Sequence, residues 1–460
     1  MSVLAQGDSE PLNGFDALVE YFERGCKPKE QWWIGTEHEK FGFFEKDFSP
    51  VPYEGEGGIQ TLLNRLQQFG WNPHYEGDNI IGLEQKLPNG KNGANISLEP
   101  GGQLELSGAM LRTLHQTCDE VNSHLEQVRA IAQTLGIGFL GLGFCPHWAL
   151  KDVPRMPKGR YRIIEKYMEK IQSQGRDMMF RTCTVQVNLD FSSETDMIKK
   201  LRVALALQPI ATAIFANSPF ADGKPTGYQS YRSQLWLHTD EQRTGMLDQA
   251  FAPDFGFAKY AEYALDVPLY FVHRDSQYID VAGKSFRDFL EGKLPGLEGE
   301  RPNEADWANH LTTIFPEARL KRFLEMRGAD SGPWRQLCAL PAFWVGLLYD
   351  DNALDAAWQI VREWSASDRN QMRQQVPKDG LSTLLRGEPL VKWARKFVEL
   401  SRNGLKARAN FDSNGNDETH FLHPVEETLA REQNLAQELL ECYHGKWNGN
   451  VTNIFTQYAY

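Results

Sequence analysis

Apolar residues recur at three-to-four spacing in GFDALVEYFERG (Gly14 to Gly25) and IQTLLNRLQQFG (Ile59 to Gly70), and each run stops at glycine, as amphipathic helices do. A longer stripe, Leu114, Cys118, Val121, Leu125, Val128, Ile131 and Leu135, predicts a helix closed by Gly136. Period two replaces this pattern in RTCTVQVNLDF. Cys183, Val185, Val187 and Leu189 fall on one strand face, and Thr184, Gln186, Asn188 and Asp190 on the other. IGTEHEKFGF (Ile34 to Phe43) also has the length and apolar content of a strand. It sets Glu37 and Glu39 on one side, ~6.6 Å apart along the chain, while His38 points away and is expected to be a core or supporting residue. From Asp350 onward DAAWQIVREW, STLLRGEPLVKWARKFVEL and VEETLAREQNLAQELLECY read as helices, and the tail NGNVTNIFTQYAY as a loop or edge segment. Strands scattered among helices, with hairpin signals, predict an α+β fold on a mainly antiparallel sheet, flanked by helices and followed by a largely helical portion over 350–460.

The Pro-Gly-Gly of SLEPGGQLELSGA (Ser97 to Ala109) marks a hairpin whose loop length decides which side chains face together. A two-residue loop would put Glu99 and Glu105 on opposite faces. A three-residue loop, Pro100 to Gly102 with Gly102 left-handed, aligns Glu99 with Gln103 and Ser97 with Glu105, leaving Leu98, Leu104 and Leu106 for the core. The second is expected, because a sheet that buries those leucines leaves both carboxylates on its other side. In RLKRFLEMRGAD, Glu325 and Arg327 likewise share a face opposite Leu324 and Met326. With Gln186 and Asn188, four strands then present polar groups at period two. One Glu-x-Glu is most often a solvated strand face, but its recurrence on separate strands points to a site. Hard oxygen donors without a Cys or His cluster suit magnesium or manganese, which keep several waters and share sites with phosphates.

Composition narrows the field of partners. The chain has 460 residues, with 49 basic against 61 acidic, a net charge of -12, and no dense Lys/Arg block, so nucleic acid is not an expected partner. Anionic substrates would need local arginines or bound cations. The opening MSVLAQGDSEPLNG has neither a secretory signal nor an Arg-rich leader, and the longest apolar run, Val203 to Ala216, is interrupted by Gln208 and Pro209, too short and broken to span a bilayer. A cytoplasmic location with no membrane contact is expected. Six cysteines without C-x-x-C fit a reducing compartment. Gly136 to Gly141 matches G-x-G-x-x-G, but it follows a helix and enters a strand, the reverse of a dinucleotide site; VAGKSF lacks the leading glycine of a phosphate loop, and neither HExxH nor G-x-S-x-G occurs.

IGTEHEKFGF, SLEPGGQLELSGA, FRTCTVQVNLDF and TTIFPEARLKRFLEMRGADSGPWRQLCALPAFWVGLLYD together closely resemble the plant-type glutamate-cysteine ligases of plants and many proteobacteria, most densely from about Gln31 to Asp350. The resemblance implies a single catalytic domain over 1–460, with 350–460 packed on it, whose curved sheet is similar to the glutamine synthetase catalytic domain. It implies a site for ATP, two or three Mg2+ ions (Mn2+ as the alternative) and glutamate. It also implies phosphorylation of the glutamate side-chain carboxylate and attack on the acyl phosphate by the amine of cysteine, the first step of glutathione biosynthesis. The same fold with another amine acceptor is the alternative. By the same resemblance Glu37, Glu39, Glu99, Glu105 and Glu325 are metal ligands or their close neighbours, and Arg327 faces the transferred phosphate. Arg160 and Arg232 hold anionic substrate groups, and Gln186 and Asn188 line the glutamate and metal site. The redox-sensitive cysteine pair of the plant enzymes falls near Val281 and Gly296, so it is missing. Cys118 and Cys338 match a second pair of some plant members but are expected to stay free and reduced, since Cys118 lies on a helical apolar stripe, and the protein is expected to be a monomer insensitive to reductant.

Overall fold

The computed structural model describes residues 10–86 and 92–460. Among these, the main sheet comprises β1 (Ile34–Phe44), β2 (Asn72–Glu76), β3 (Asn79–Lys86), β4 (Asn92–Leu98), β5 (Leu104–Ser107), β6 (Ile137–Leu140), β7 (Thr184–Leu189), β8 (Ala318–Leu320) and β9 (Leu324–Asp330). The order is β8-β9-β7-β1-β5-β4-β3-β2, with β6 on the second half of β1. Every pairing in it is antiparallel. The α+β expectation therefore holds, and the strand that comes first in sequence ends at the centre, between β5 and β7.

Alternation along these strands makes one face apolar. Ile34, Val185, Val187, Leu189, Leu324 and Met326 pack beneath the helices Glu194–Ile214 and Trp334–Leu348; Ile96, Leu98, Leu104 and Leu106 pack beneath Ile59–Leu66 and Leu114–Leu135. From Val203 onward the helix Glu194–Ile214 is apolar around most of its circumference because it is buried on all sides there, while its first turns carry Glu194 and Lys199 outward. No described helix is long and apolar enough to cross a membrane. His38, on this buried side of β1, packs edge-to-face on His124 at 5.5 Å, and His124 Nε2 lies 2.8 Å from Lys40 Nζ.

Three expectations change. Residues 384–389 are not helical: Leu384–Leu385 and Glu388–Pro389 form a small hairpin turned by Arg386 and Gly387, both at positive φ, and the helix Leu390–Arg408 begins only after Pro389. The run VEETLAREQNLAQELLECY is two helices, His423–Arg431 and Leu435–His444, because Glu432 takes the left-handed conformation and Asn434 caps the second. The tail holds a short helix, Asn453–Gln457, before Ala459 bridges Leu140, and the Tyr460 hydroxyl donates to Gly332 O at 2.5 Å.

The cysteine expectation is also overturned. Cys118 and Cys338 form a disulfide with α-carbons 5.7 Å apart. The apolar stripe of Leu114–Leu135 packs directly on Trp334–Leu348, so the face that hides Cys118 from solvent presents it to Cys338. Cys26, Cys145, Cys183 and Cys442 are free.

On the same helix Glu120 is partly buried. One carboxylate oxygen accepts from the Ala109 amide at 3.0 Å and the other has no partner. Burial pushes its carboxyl up to about 7. The folded state thus binds this proton more tightly than the unfolded chain, so stability contributed at low pH is lost as pH rises from about 4.3 to about 7. Glu120→Gln is expected to flatten urea-unfolding stability across that window; an unchanged pH profile would place the titration elsewhere.

Candidate active site

The face opposite the core carries polar side chains in register. Glu37 stands opposite Gln186 on β7 and Ser107 on β5, Glu39 opposite Glu105, Glu105 opposite Ser97, and Glu325 opposite Asn188 and Arg319. The hairpin between β4 and β5 has the three-residue loop: Glu99 N donates to Gln103 O at 2.9 Å, and Gly102 has φ +85°. Glu99 and Glu105 therefore share the face that carries Glu37 and Glu39. Gly35 leaves room for a neighbour here, since a β-carbon would lie 3.2 Å from Asn188 Cβ.

One end of this face is acidic. Burial, reinforced by Glu99 and Glu105 nearby, pushes the Glu39 carboxyl well above the usual range, although one oxygen accepts from the Thr184 amide at 3.0 Å. Glu105 is fully buried and accepts from Ser107 Oγ at 2.6 Å. Glu99 accepts from the Tyr161 hydroxyl at 3.1 Å, and its charge, like that of Glu105, opposes ionisation of Glu39. Such a set of close carboxylates favours a hard divalent cation beside it. Among the described residues no three His, Cys, Asp or Glu side chains gather as a ready-made cage. An ion held here would therefore complete its shell with water and phosphate oxygens, as magnesium does.

The other end is cationic. Glu325 is fully buried and paired with Arg319 at 2.5 Å, Arg327 at 3.0 Å and Lys321 at 3.2 Å; these hold its carboxyl well below the usual range against the opposing effect of burial. Arg327 also donates to Gln186 Oε1 at 2.5 Å, and Asn188 Nδ2 donates to Glu37 at 3.1 Å. Arg232, on the helix Tyr231–Trp236, donates from Nη2 to Arg327 O at 3.1 Å and leaves its buried Nε unpartnered. Arg160 donates to the Tyr161 hydroxyl at 3.2 Å. Neither arginine is on the surface, as the bare sequence would allow: both are 3% exposed.

The two ends meet in a cleft partly open to solvent, with about 650 Å³ of empty space when the solvent at its mouth is included. Glu39, Glu99, Gln186, Arg232 and Arg327 line it; Glu37, Glu105, Asn188, Arg160 and Glu325 stand outside its wall, where Arg160 supports Tyr161 and Glu325 supports Arg327. Sequence reasoning missed the apolar parts of that wall, among them Tyr161, Trp236 and Phe315, and it missed Lys158, whose ammonium donates to Leu98 O at 2.9 Å. Tyr161 and Lys158 had a usable signal, since KGRYR places both within two residues of Arg160. Trp236 and Phe315 read as ordinary surface or core.

The sequence profile of glutamate-cysteine ligase family 2 matches residues 33–457. The chain is 57% identical over 453 residues to a chloroplastic glutamate-cysteine ligase of Solanum lycopersicum, covering 98% of this chain and 84% of that one. It is 54% identical over 453 residues to the chloroplastic glutamate-cysteine ligase of Arabidopsis thaliana, with the same coverage of each chain. Among solved structures, glutamate-cysteine ligase of Francisella tularensis in complex with AMP superposes with a TM-score of 0.55 at 12% identity, covering 93% of this chain and 88% of that one. At that identity the likeness concerns the fold. The chloroplastic relatives overturn the cytoplasmic expectation. Targeting leaders are cleaved and leave no mark on the folded body, so neither the body's composition nor its cysteine usage could locate the protein.

Proposed function

Because this chain belongs to glutamate-cysteine ligase family 2, a family of ligases, we propose that it joins the side-chain carboxylate of L-glutamate to the amine of L-cysteine through a γ-glutamyl phosphate. A glutamate carboxylate oxygen attacks the γ-phosphorus of ATP and ADP leaves; the cysteine amine then attacks the acyl carbon, expelling phosphate and losing a proton. No enzyme nucleophile is required, so catalysis rests on positioning and charge. The observation that carries this reading is the junction, in one cavity, of the Glu39–Glu99 end with the Arg232–Arg327 end.

Glu39, Glu99 and Glu105, with Glu37 beside them, would hold two or three Mg2+ ions, or Mn2+. When bound, these supply charge neutralisation for the transferring phosphoryl group. Arg327 faces that group, its guanidinium fixed by Gln186 and Glu325. Glu325 acts through the three cations it neutralises. Arg232 takes a substrate carboxylate on its free Nε edge, the fork geometry lysine lacks. Arg160 holds the wall at Tyr161 and serves anionic substrate groups, while Gln186 and Asn188 orient glutamate and Glu37. The AMP complex of the Francisella enzyme supports adenine nucleotide use. In the same reading residues 1–460 form one catalytic unit, with 350–460 as the helical portion packed on it.

The test is phosphate release from ATP with glutamate, with and without cysteine, and with other amines in its place. Release that depends on both amino acids, with γ-glutamylcysteine identified by mass, is the expected result. Faster turnover with another amine would reassign the acceptor, and ATP hydrolysis indifferent to glutamate would overturn the reading.

A further inference from the structure

Asp330, the last residue of β9, is a buried carboxylate, 2% exposed, without a cationic hydrogen-bond partner among the described residues. Its Oδ2 accepts from the Asn217 amide at 2.8 Å and from Ser218 Oγ at 2.6 Å; its Oδ1 accepts from Ser230 Oγ at 2.8 Å. Both serines pass the interaction on to one short helix. Ser218 Oγ accepts from the Arg232 amide at 3.2 Å, and Ser230 Oγ caps Tyr231–Trp236 by accepting from the Ser233 amide at 3.1 Å. The Gly143 backbone closes over the carboxylate so tightly that a β-carbon there would lie 2.2 Å from Asp330 Cγ. Arg232 in turn reaches back to β9, donating to Arg327 O at 3.1 Å.

We infer that Asp330 is a positioning residue for substrate carboxylate binding: through Ser218 and Ser230 it fixes the backbone of Arg232, and its charge balances that guanidinium from behind. A carboxylate is suited to this place because all three of its hydrogen bonds come from donors, whereas an amide would reverse the bond to Ser230 Oγ and remove the charge. The geometry also explains why two arginines from distant segments address one cavity. Strand β9 carries Arg327 directly and holds Arg232 through Asp330 three residues later. The inference rests on the reading of Arg232 as the anchor for a substrate carboxylate.

The experiment compares Asp330→Asn, Arg232→Lys and the double variant by Michaelis constants for glutamate, cysteine and ATP. Asp330→Asn is expected to raise the constant of one amino acid at least tenfold while that of ATP changes less than twofold. Arg232→Lys should act on the same amino acid. The double variant should be little worse than Arg232→Lys alone, because Asp330 works through the guanidinium. Full additivity, or an unchanged constant in a folded Asp330→Asn, overturns the inference. If Arg232→Lys instead leaves both amino-acid constants unchanged, the anchor reading has failed rather than the positioning. Should Asp330→Asn not fold, Ser218→Ala removes only the hydroxyl relay. It is expected to raise the same constant about threefold, and an unchanged value then overturns the inference.

Discussion

Glu39→Gln or Glu105→Gln is expected to lower turnover at least a hundredfold, about 3 kcal/mol of transition-state stabilisation, while the metal-free protein becomes as stable as the original or more so. Glu39 and Glu105 are directly opposed across β1 and β5, and Glu99 adds a third carboxyl, so without a cation the cluster repels itself. Neutralising one member relieves that repulsion, and an amide oxygen still accepts from the Thr184 amide. The pH dependence has a definite sign. The raised carboxyl of Glu39 binds its proton more tightly in the folded state, so stability in EDTA should fall as pH climbs above the ordinary glutamate range, and less so in Glu39→Gln. Phosphate release at saturating magnesium and thermal unfolding with and without EDTA check both halves. A folded Glu105→Gln protein with near-normal turnover would remove that residue from the mechanism, and a large loss of stability in EDTA would refute the repulsion.

Glu325→Gln should do the opposite to stability. Its carboxylate is the common partner of Arg319, Lys321 and Arg327, of which Arg319 is 2% exposed. Removing it leaves buried positive charge uncompensated, a cost of roughly 3 to 5 kcal/mol. Arg319 Nη1 keeps its bonds to Thr312 O and Ile314 O at 2.8 and 2.9 Å, so the guanidinium is not free to swing into solvent. Urea unfolding should show this loss, with turnover falling too because Arg327 loses a support. Glu325→Gln combined with Arg319→Gln should cost less than the sum of the two single changes, since the pair is coupled. Additive costs, or a Glu325→Gln protein of unchanged stability, would show that the pairing contributes little.

These two predictions separate residues that looked alike in the sequence, where Glu39 and Glu325 are both carboxylates at period two on a strand with an apolar reverse face. Period two gave the polar face of β1, β5, β7 and β9, and the glycines fixed the hairpin register that joins Glu99 to it. What surrounds each carboxylate was not legible, because Arg319 and Lys321 reach Glu325 across a turn whose side-chain directions no periodicity encodes. Asp330 was invisible for a related reason: its partners, Asn217, Ser218 and Ser230, come from 100 or more residues earlier and look like loop residues. The C-terminal hairpin at Leu384–Pro389 went unread because strong helical periodicity on both sides masked Gly387 and Pro389. Cys118 shows the limit of a burial argument. An apolar helical stripe locates a residue inside the protein without saying what it meets there.

The central place of β1 has a consequence for how the chain is made. Its segment Ile34–His38 pairs on one side with β7, which leaves the ribosome some 150 residues later. At ordinary synthesis rates of about 5–20 residues per second, that edge waits on the order of ten seconds without its partner. An unpaired strand carrying Ile34 and three phenylalanines is a template for pairing with another nascent chain. Glu37 sits on that waiting edge and Glu39 just beyond it, and two like charges two residues apart repel a second copy laid alongside. The carboxylates proposed to serve the finished enzyme would thus also act as gatekeepers against aggregation during synthesis.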